Sequence, residues 1–338
     1  MNLDTFSKND TQCLKGVAIL FMVFAHLFNN VKLCGLSEPL LYIGDEPLVH
    51  WLIFGMNPVM FFIFLSGYGL YISYNKRKYD NFRRVLKLYI HYWITLAIFL
   101  PIAEIIRGGY CESFSLLLKN IIAWDNTYNH ETWFLLPYVL LAISSPLIFK
   151  WADKLRPQIT FIITLLLYIA VRWCNRFDEP LLKQIKALFW IDNYLTLLFP
   201  FVLGCLSAKY MKISKMRSLL PLDKLSFASL MVMTSSFVAI ILLRYHYQSI
   251  FYPFYVSMFI LAFVMVRRPK VLDSFLAEMG RRSSSIWLIH TWFCYYLFQD
   301  FIYSFRYPLL IYLVLLAISY CCAVIVDWIN RKMDSLIF

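Results

Sequence analysis

The stretch Leu14–Asn29, LKGVAILFMVFAHLFN, decides how the whole chain is read. It opens on Lys15 and then runs apolar to a histidine, His26, eleven positions on. In a soluble core that ring is unremarkable. In lipid it needs a partner or a task, because a polar group in hydrocarbon is costly unless satisfied. The solvent is therefore the first question.

Composition answers it. Hydrophobic residues make up 61% of the 338 and charged residues only 15%, with a mean hydropathy of +0.63. A soluble domain carries about 45–50% apolar and about 25% charged residues. Apolar runs of about 18 residues or more recur along the chain, each long enough to cross ~30 Å of hydrocarbon as a helix. Short period-two segments, the mark of an outer-membrane barrel, are not seen. The formal charge of +12 and the pI near 9.2 then follow from basic residues gathered on the cytoplasmic side, so they are no argument for a nucleic-acid partner.

Ten spans fit, over roughly 14–30, 51–74, 88–106, 133–149, 158–172, 193–209, 225–243, 250–266, 284–299 and 307–328. With both termini cytoplasmic, most of the 32 lysines and arginines fall on inner segments, among them Lys76–Lys78, Arg83, Arg84, Lys87, Lys209–Lys224 and Arg267–Arg282. The expectation is an all-α, polytopic helical membrane protein of about ten transmembrane helices, embedded in the cytoplasmic membrane. It forms one integral-membrane domain over 1–338 with no separate soluble domain. Asp4 and Asp10 sit in the first fifteen residues and no small-residue cleavage site follows the apolar run, so the first span reads as retained. Two outer segments are amphipathic, 111–124 and 181–191, and suit a helix lying in the interface. The eight cysteines show no zinc-ligand spacing, and no metal is implied; Cys34, Cys111 and Cys174 fall in outer loops where a disulfide is conceivable.

The residues able to carry chemistry begin with Lys15 and His26. Eleven helical residues at ~1.5 Å each put the imidazole roughly 16 Å deeper than the lysine, about half-way through the bilayer. A neutral imidazole there can serve as a general base; a histidine bonded to a neighbouring helix for structure alone is the other reading. His290 repeats the arrangement. In MGRRSSSIWLIHTWF, 279–293, Arg281 and Arg282 precede three serines placed to cap a helix that carries His290 inward. A helix N-terminus beside arginines is an anion site, and NFRRVLK opens the third span in the same way with Arg83, Arg84 and Lys87. Together these suggest a basic cytoplasmic mouth above two buried histidines. Coenzyme A, with its phosphates and long thin arm, fits that shape and charge.

LKGVAILFMVFAH resembles the first-span signature of the integral-membrane acyltransferase-3 family, a basic residue, ten residues, then histidine. VMFFIFLSGYGLYIS, FRRVLKLYIHYW, WFLLPYVLLAISSPL, LFPFVLGCLSAK and SSSIWLIHTWF resemble later segments of the family in order, so the likeness covers nearly the whole chain. The resemblance implies acyl transfer from cytoplasmic acyl-CoA, often acetyl-CoA, to a hydroxyl of a cell-envelope saccharide. His26 matches the family's catalytic histidine, Lys15 its basic partner, and Arg84 and Lys87 a basic pair with lysine in the second place. Acyl-CoA would then be the donor bound by Lys15, Arg84, Lys87, Arg282 and His290.

This chain departs from the pattern in places. Leu135–Tyr138 stand where some relatives carry a carboxylate, so a carboxylate to orient His26 must come from elsewhere. Glu131, Glu104 and Asp300 are available near outer span ends, and Glu131 ranks first. His91 stands where relatives often have proline, with packing as its expected role. His50, His130 and His246 are expected to meet water at outer ends. Gly67 and Gly69 in FLSGYG suit close helix packing, and Ser66 has no neighbouring base in sequence. The rival class is a secondary transporter or a flippase for a lipid-linked sugar. Such proteins often show inverted repeats and paired broken helices, and neither is evident here.

Overall fold

The computed structural model describes residues 5–77, 79–110, 112–177, 185–245 and 248–338. It is almost wholly helical. Twelve helices of eight residues or more are described: α1 Lys8–Phe28, α2 Pro58–Asn75, α3 Asn81–Arg107, α4 Phe114–Ile121, α5 Leu135–Lys154, α6 Pro157–Phe177, α7 Lys186–Tyr210, α8 Leu222–Leu242, α9 Gln248–Met265, α10 Lys270–Arg281, α11 Ser283–Thr291 and α12 Pro308–Ile337. A two-residue antiparallel ladder pairs Tyr42–Ile43 with Glu46–Pro47. Among the described residues, eight helical segments are long and apolar enough to cross a membrane, and Ser249–Met265 is a shorter apolar helix.

Local sequence explains the element ends. Ser7 and Asp10 start α1 as a reciprocal cap: the Asp10 amide donates to Ser7 Oγ at 3.0 Å and the Ser7 amide to the Asp10 carboxylate at 3.2 Å. The second span is split. Leu48–Leu52 and a 3-10 turn at Ile53–Gly55 come first, then Asn57 accepts from the Met60 amide at 3.4 Å and Pro58 opens α2 at its first position.

The chain forms two compact units. The first takes Met1–Lys15, Asn57–Asn81 and Pro137–Ala277, and its core is the packing of α2 on α7. A Cβ on Gly67 would lie 1.9 Å from the Phe201 carbonyl oxygen, and one on Gly204 would lie 2.0 Å from that of Phe64. The two backbones touch, which only glycine permits. Gly69 faces open space, so the close approach uses Gly67 and Gly204 and not Gly69. In the same unit the buried Arg268 bridges Asp10 at 2.7 Å and Asp273 at 2.6 Å.

The second unit takes Gly16–Met56, Phe82–Leu136 and Glu278–Phe338. Its distinctive element is the segment expected as one span over 284–299. It is α11, then a π-helical stretch Trp292–Leu297, then the short helix Gln299–Tyr303. Tyr303 donates to the Leu27 carbonyl at 2.7 Å, and Trp292 stacks on Phe99 with centroids 5.6 Å apart. The tail of α1 is further tied down by His50, whose Nδ1 lies 2.8 Å from the Phe28 carbonyl oxygen. His50 is therefore buried rather than wet. His130 is exposed as expected, and His246 lies outside the described residues.

Other expectations are corrected here. The outer segment 111–124 does fold as a helix, α4, but within 181–191 residues 186–191 begin α7, with no separate interfacial helix among the described residues. Cys34 and Cys174 are both free, and Cys111 lies outside the described residues. Burial pushes the Cys34 thiol up to about 11, and it donates to the Phe28 carbonyl at 3.4 Å.

Candidate active site

His26 sits near the C-terminal end of α1, and Lys15 lies on the same helix eleven residues earlier. Eleven residues make about three turns, so both side chains leave one face, some 16 Å apart along the axis. His26 is joined by two groups of the second unit. Its Nδ1 is 2.8 Å from His290 Nε2, with the rings stacked at 4.9 Å, and its Nε2 is 3.4 Å from Glu131 Oε2. Of the three carboxylates available in sequence, Glu131 is the one placed at His26. Glu104 instead accepts from the Tyr110 amide at 2.7 Å, and Asp300 is exposed.

The hydrogen bonds fix the tautomers. His290 Nδ1 faces the Ile286 carbonyl oxygen at 2.8 Å and that of Trp287 at 3.0 Å, both pure acceptors, so it carries the proton. Its Nε2 is then an acceptor, and His26 Nδ1–H donates to it. What remains on His26 is the Nε2 lone pair, directed at the side on which Glu131 stands. His290 is fully buried, whereas His26 and Glu131 keep 16% and 24% of their side chains exposed. The His26–Glu131 contact is thus less enclosed than His290. Its contact with Glu131 is longer than an ordinary hydrogen bond of ~2.7–3.2 Å.

The ring is also anchored from behind. Tyr295, on the π-helical stretch, donates its hydroxyl to the His26 carbonyl oxygen, and its ring lies 5.9 Å from the imidazole. π-Helical turns frequently occur at functional sites because the wider turn re-aims side chains.

A second buried cluster lies at the start of α11. Ser285 Oγ is 2.8 Å from His91 Nε2 and donates to Asp327 Oδ1; Asp327 Oδ2 accepts from Arg282 at 2.7 Å. Arg282 also meets Glu278 at 3.1 Å, and Tyr320 donates to Glu278 at 3.0 Å. The residue types are those of a catalytic triad, but the wiring is not. The carboxylate bonds the serine, whereas a triad needs it on the far nitrogen of the histidine to orient the base. This cluster ties α3, α11 and α12 together, and His91 is hydrogen-bonded rather than merely packed.

The expected cap at Ser283–Ser285 is not formed. α10 runs almost directly into α11, Arg282 takes the cap position without a side-chain bond, and Ser283 donates back to the Gly280 carbonyl at 2.9 Å. Of the basic residues, Arg282 is held by Asp327 and Glu278, Lys87 pairs with Asp334 at 2.6 Å, Arg84 is exposed and Lys15 is half-buried. Sequence reasoning missed Asp327, Asn129 and Tyr295. Asp327 carried a signal, an acid inside the apolar run of the last span. Asn129 and Tyr295 carried none.

The chain is thus a helical protein with apolar helices long enough to span a membrane and a cluster of two histidines and a carboxylate in its second unit. The family model of the acyltransferase-3 family, described as an acyltransferase domain, matches residues 9–328, and the chain belongs to that family. No curated protein and no solved structure matches it.

Proposed function

We propose that this acyltransferase moves an acyl group, acetyl in the first instance, from cytoplasmic acyl-CoA to a hydroxyl of an envelope saccharide, with His26 as the reacting base. The observation that supports the reading is the array itself: an imidazole with one nitrogen tied to His290 and the other facing Glu131, on side chains that both keep some exposure.

The chemistry follows from those atoms. The acceptor hydroxyl approaches His26 Nε2, loses its proton to it and attacks the thioester carbonyl carbon; the C–O bond forms and the C–S bond breaks. The thiolate leaves and takes the proton from His26. While His26 is charged, Nδ1–H points to His290 and Nε2–H to the Glu131 carboxylate, so both positive edges of the ring have acceptors. In the alternative order His26 Nε2 itself takes the acyl group and passes it to the hydroxyl. Arg84, Lys87, Lys15 and Arg282 are the candidates for holding the donor's phosphates. Lys87 and Arg282 would exchange carboxylate partners for phosphate.

The test is the full-length protein in lipid nanodiscs with radiolabelled acetyl-CoA and a methyl hexopyranoside as acceptor. The expected result is release of free CoA thiol and labelled ester, both abolished by His26→Ala at unchanged folded yield. Wild-type turnover in that variant overturns the assignment of His26. In sealed vesicles, movement of a lipid-linked sugar across the bilayer without thioester consumption would instead identify a flippase.

A further inference from the structure

Glu131 reaches His26 from a five-residue 3-10 turn, His130–Phe134, and not from the body of a long helix. Such a turn is too short to fix a carboxylate by its own hydrogen bonds. Something else must set its register. The side chain of Asn129, buried to 2% exposure, does so. Its Oδ1 accepts from the Glu131 backbone amide at 3.2 Å and from the Thr291 hydroxyl at 3.1 Å, and its Nδ2 donates to the Leu288 carbonyl at 3.5 Å. The Asn129 carbonyl accepts from the Thr132 hydroxyl at 2.7 Å. Beside it, Trp287 Nε1 donates to the Glu131 carbonyl at 3.2 Å, and its ring meets Phe134 edge-on at 5.5 Å.

A helix cap needs only the first of these bonds. The Thr132 bond is also local, but three others reach a helix about 160 residues away in sequence, α11, through Trp287, Leu288 and Thr291. His290 lies on that same helix. We propose that Asn129, with Trp287 and Thr291, is a positioning residue for acyl transfer: it locks the Glu131 carboxylate to α11, so that one helix sets both partners of His26. This rests on the reading of His26 as the reacting base.

The physical logic is that of second contacts around a reacting group. A carboxylate displaced by ~1 Å costs up to about a hundredfold in rate while the fold stands. Removing the Asn129 amide leaves the Glu131 amide and the Thr291 hydroxyl without their acceptor in a buried place. Donor binding is untouched, since no basic residue contacts the turn through Asn129.

The proposal is tested on Asn129→Ala, Asn129→Asp and Thr291→Val in the full-length chain in nanodiscs, with acetyl-CoA and a methyl hexopyranoside. Asn129→Ala and Thr291→Val are expected to lower kcat by on the order of tenfold to a hundredfold at an unchanged KM for acetyl-CoA. Asn129→Asp keeps the acceptor oxygen but cannot donate to the Leu288 carbonyl, so it is expected to restore kcat only in part. It also sets a second carboxylate beside Glu131, so a proton taken up by His26 is held more tightly and the ascending limb of the pH–rate profile moves to higher pH. The other titratable groups around Glu131 are His26, His130, Cys294, Tyr295 and Tyr296, and none is altered. Amide hydrogen exchange supplies a readout that needs no acceptor: residues 129–134 lose protection in Asn129→Ala while 16–28 keep theirs. Unchanged exchange there, or a loss of rate that merely follows the folded fraction with the wild-type pH profile, overturns the proposal. If His26→Ala is fully active, the parent reading has failed; if it is dead and Asn129→Ala is wild-type, only this inference has.

Discussion

Replacing Glu131 by glutamine removes one negative charge and keeps the shape of the contact. Glu131 Oε2 stands 3.4 Å from His26 Nε2. At that separation an imidazolium and a carboxylate attract by about 5 kcal/mol at an effective dielectric of about 20. The transition state carries part of that charge. With about half transferred, the loss is about 2.4 kcal/mol, or about fiftyfold in kcat. Because 16% of the His26 side chain and 24% of the Glu131 side chain meet solvent, screening lowers this towards about tenfold. The charge develops only as the proton moves, so the KM for the donor is expected to stay constant. The assay is steady-state release of CoA thiol from the nanodisc-embedded protein, normalised to the monodisperse folded fraction. A kcat within about twofold of wild type would refute the electrostatic argument, because no arrangement of a neutral amide replaces a charge at that distance.

Three further outcomes are expected. Gly67→Ala and Gly204→Ala each drive a methyl group into a facing backbone carbonyl, so each is expected to lower the thermal midpoint in detergent with a cost of about 1–3 kcal/mol, whereas Gly69→Ala leaves it unchanged. Lys87→Gln is expected to raise the KM for acetyl-CoA while changing stability by less than about 1 kcal/mol, since the Asp334 pair it breaks is partly exposed; an unchanged KM would count against a donor role. Burial raises the Glu278 carboxyl, but hydrogen bonds from Arg281, Tyr320 and Arg282 outweigh it and hold it below its ordinary 4.5. Its stabilising contribution is present above 4.5 and lost as pH falls through the lower folded value. Glu278→Gln is thus expected to flatten the acid limb of thermal stability below that point, and an identical acid limb would refute the assignment.

The membrane fold was legible because it depends on length and polarity, which a sequence displays directly. Pro157–Phe177 and Leu222–Leu242 fall where an apolar run alone would put them. The interruptions were harder. Trp292–Leu297 carries no charged residue, glycine or proline to mark its π-helical winding, which accompanies contacts such as Tyr295 on the His26 carbonyl between positions about 270 residues apart. The serines at 283–285 carry the residue types of a cap, yet α10 fills the space before them, so chain continuity decides against local preference. His26 and His290 were readable as candidates, because a polar ring in an apolar run stands out. Their direct contact was not, since a sequence gives position along a helix but not which helices face each other. Glu131 ranked first among three acids on position, whereas Asn129, polar in a polar loop, had no contrast with its neighbours.

The widened turn at Trp292–Leu297 bears on how this chain can tolerate insertion and deletion. Each α-helical residue advances the winding by about 100°, and a π turn stores one residue more than regular winding needs. Deleting a single residue there would let the helix relax to ordinary pitch, swinging the phenol of Tyr295 round the axis and off the histidine it braces. The length of this hexapeptide is thus as much a part of the site as the Tyr295 side chain that it aims. Drift in chain length is therefore expected to collect in the outer loops, such as 35–47, and to spare these six positions.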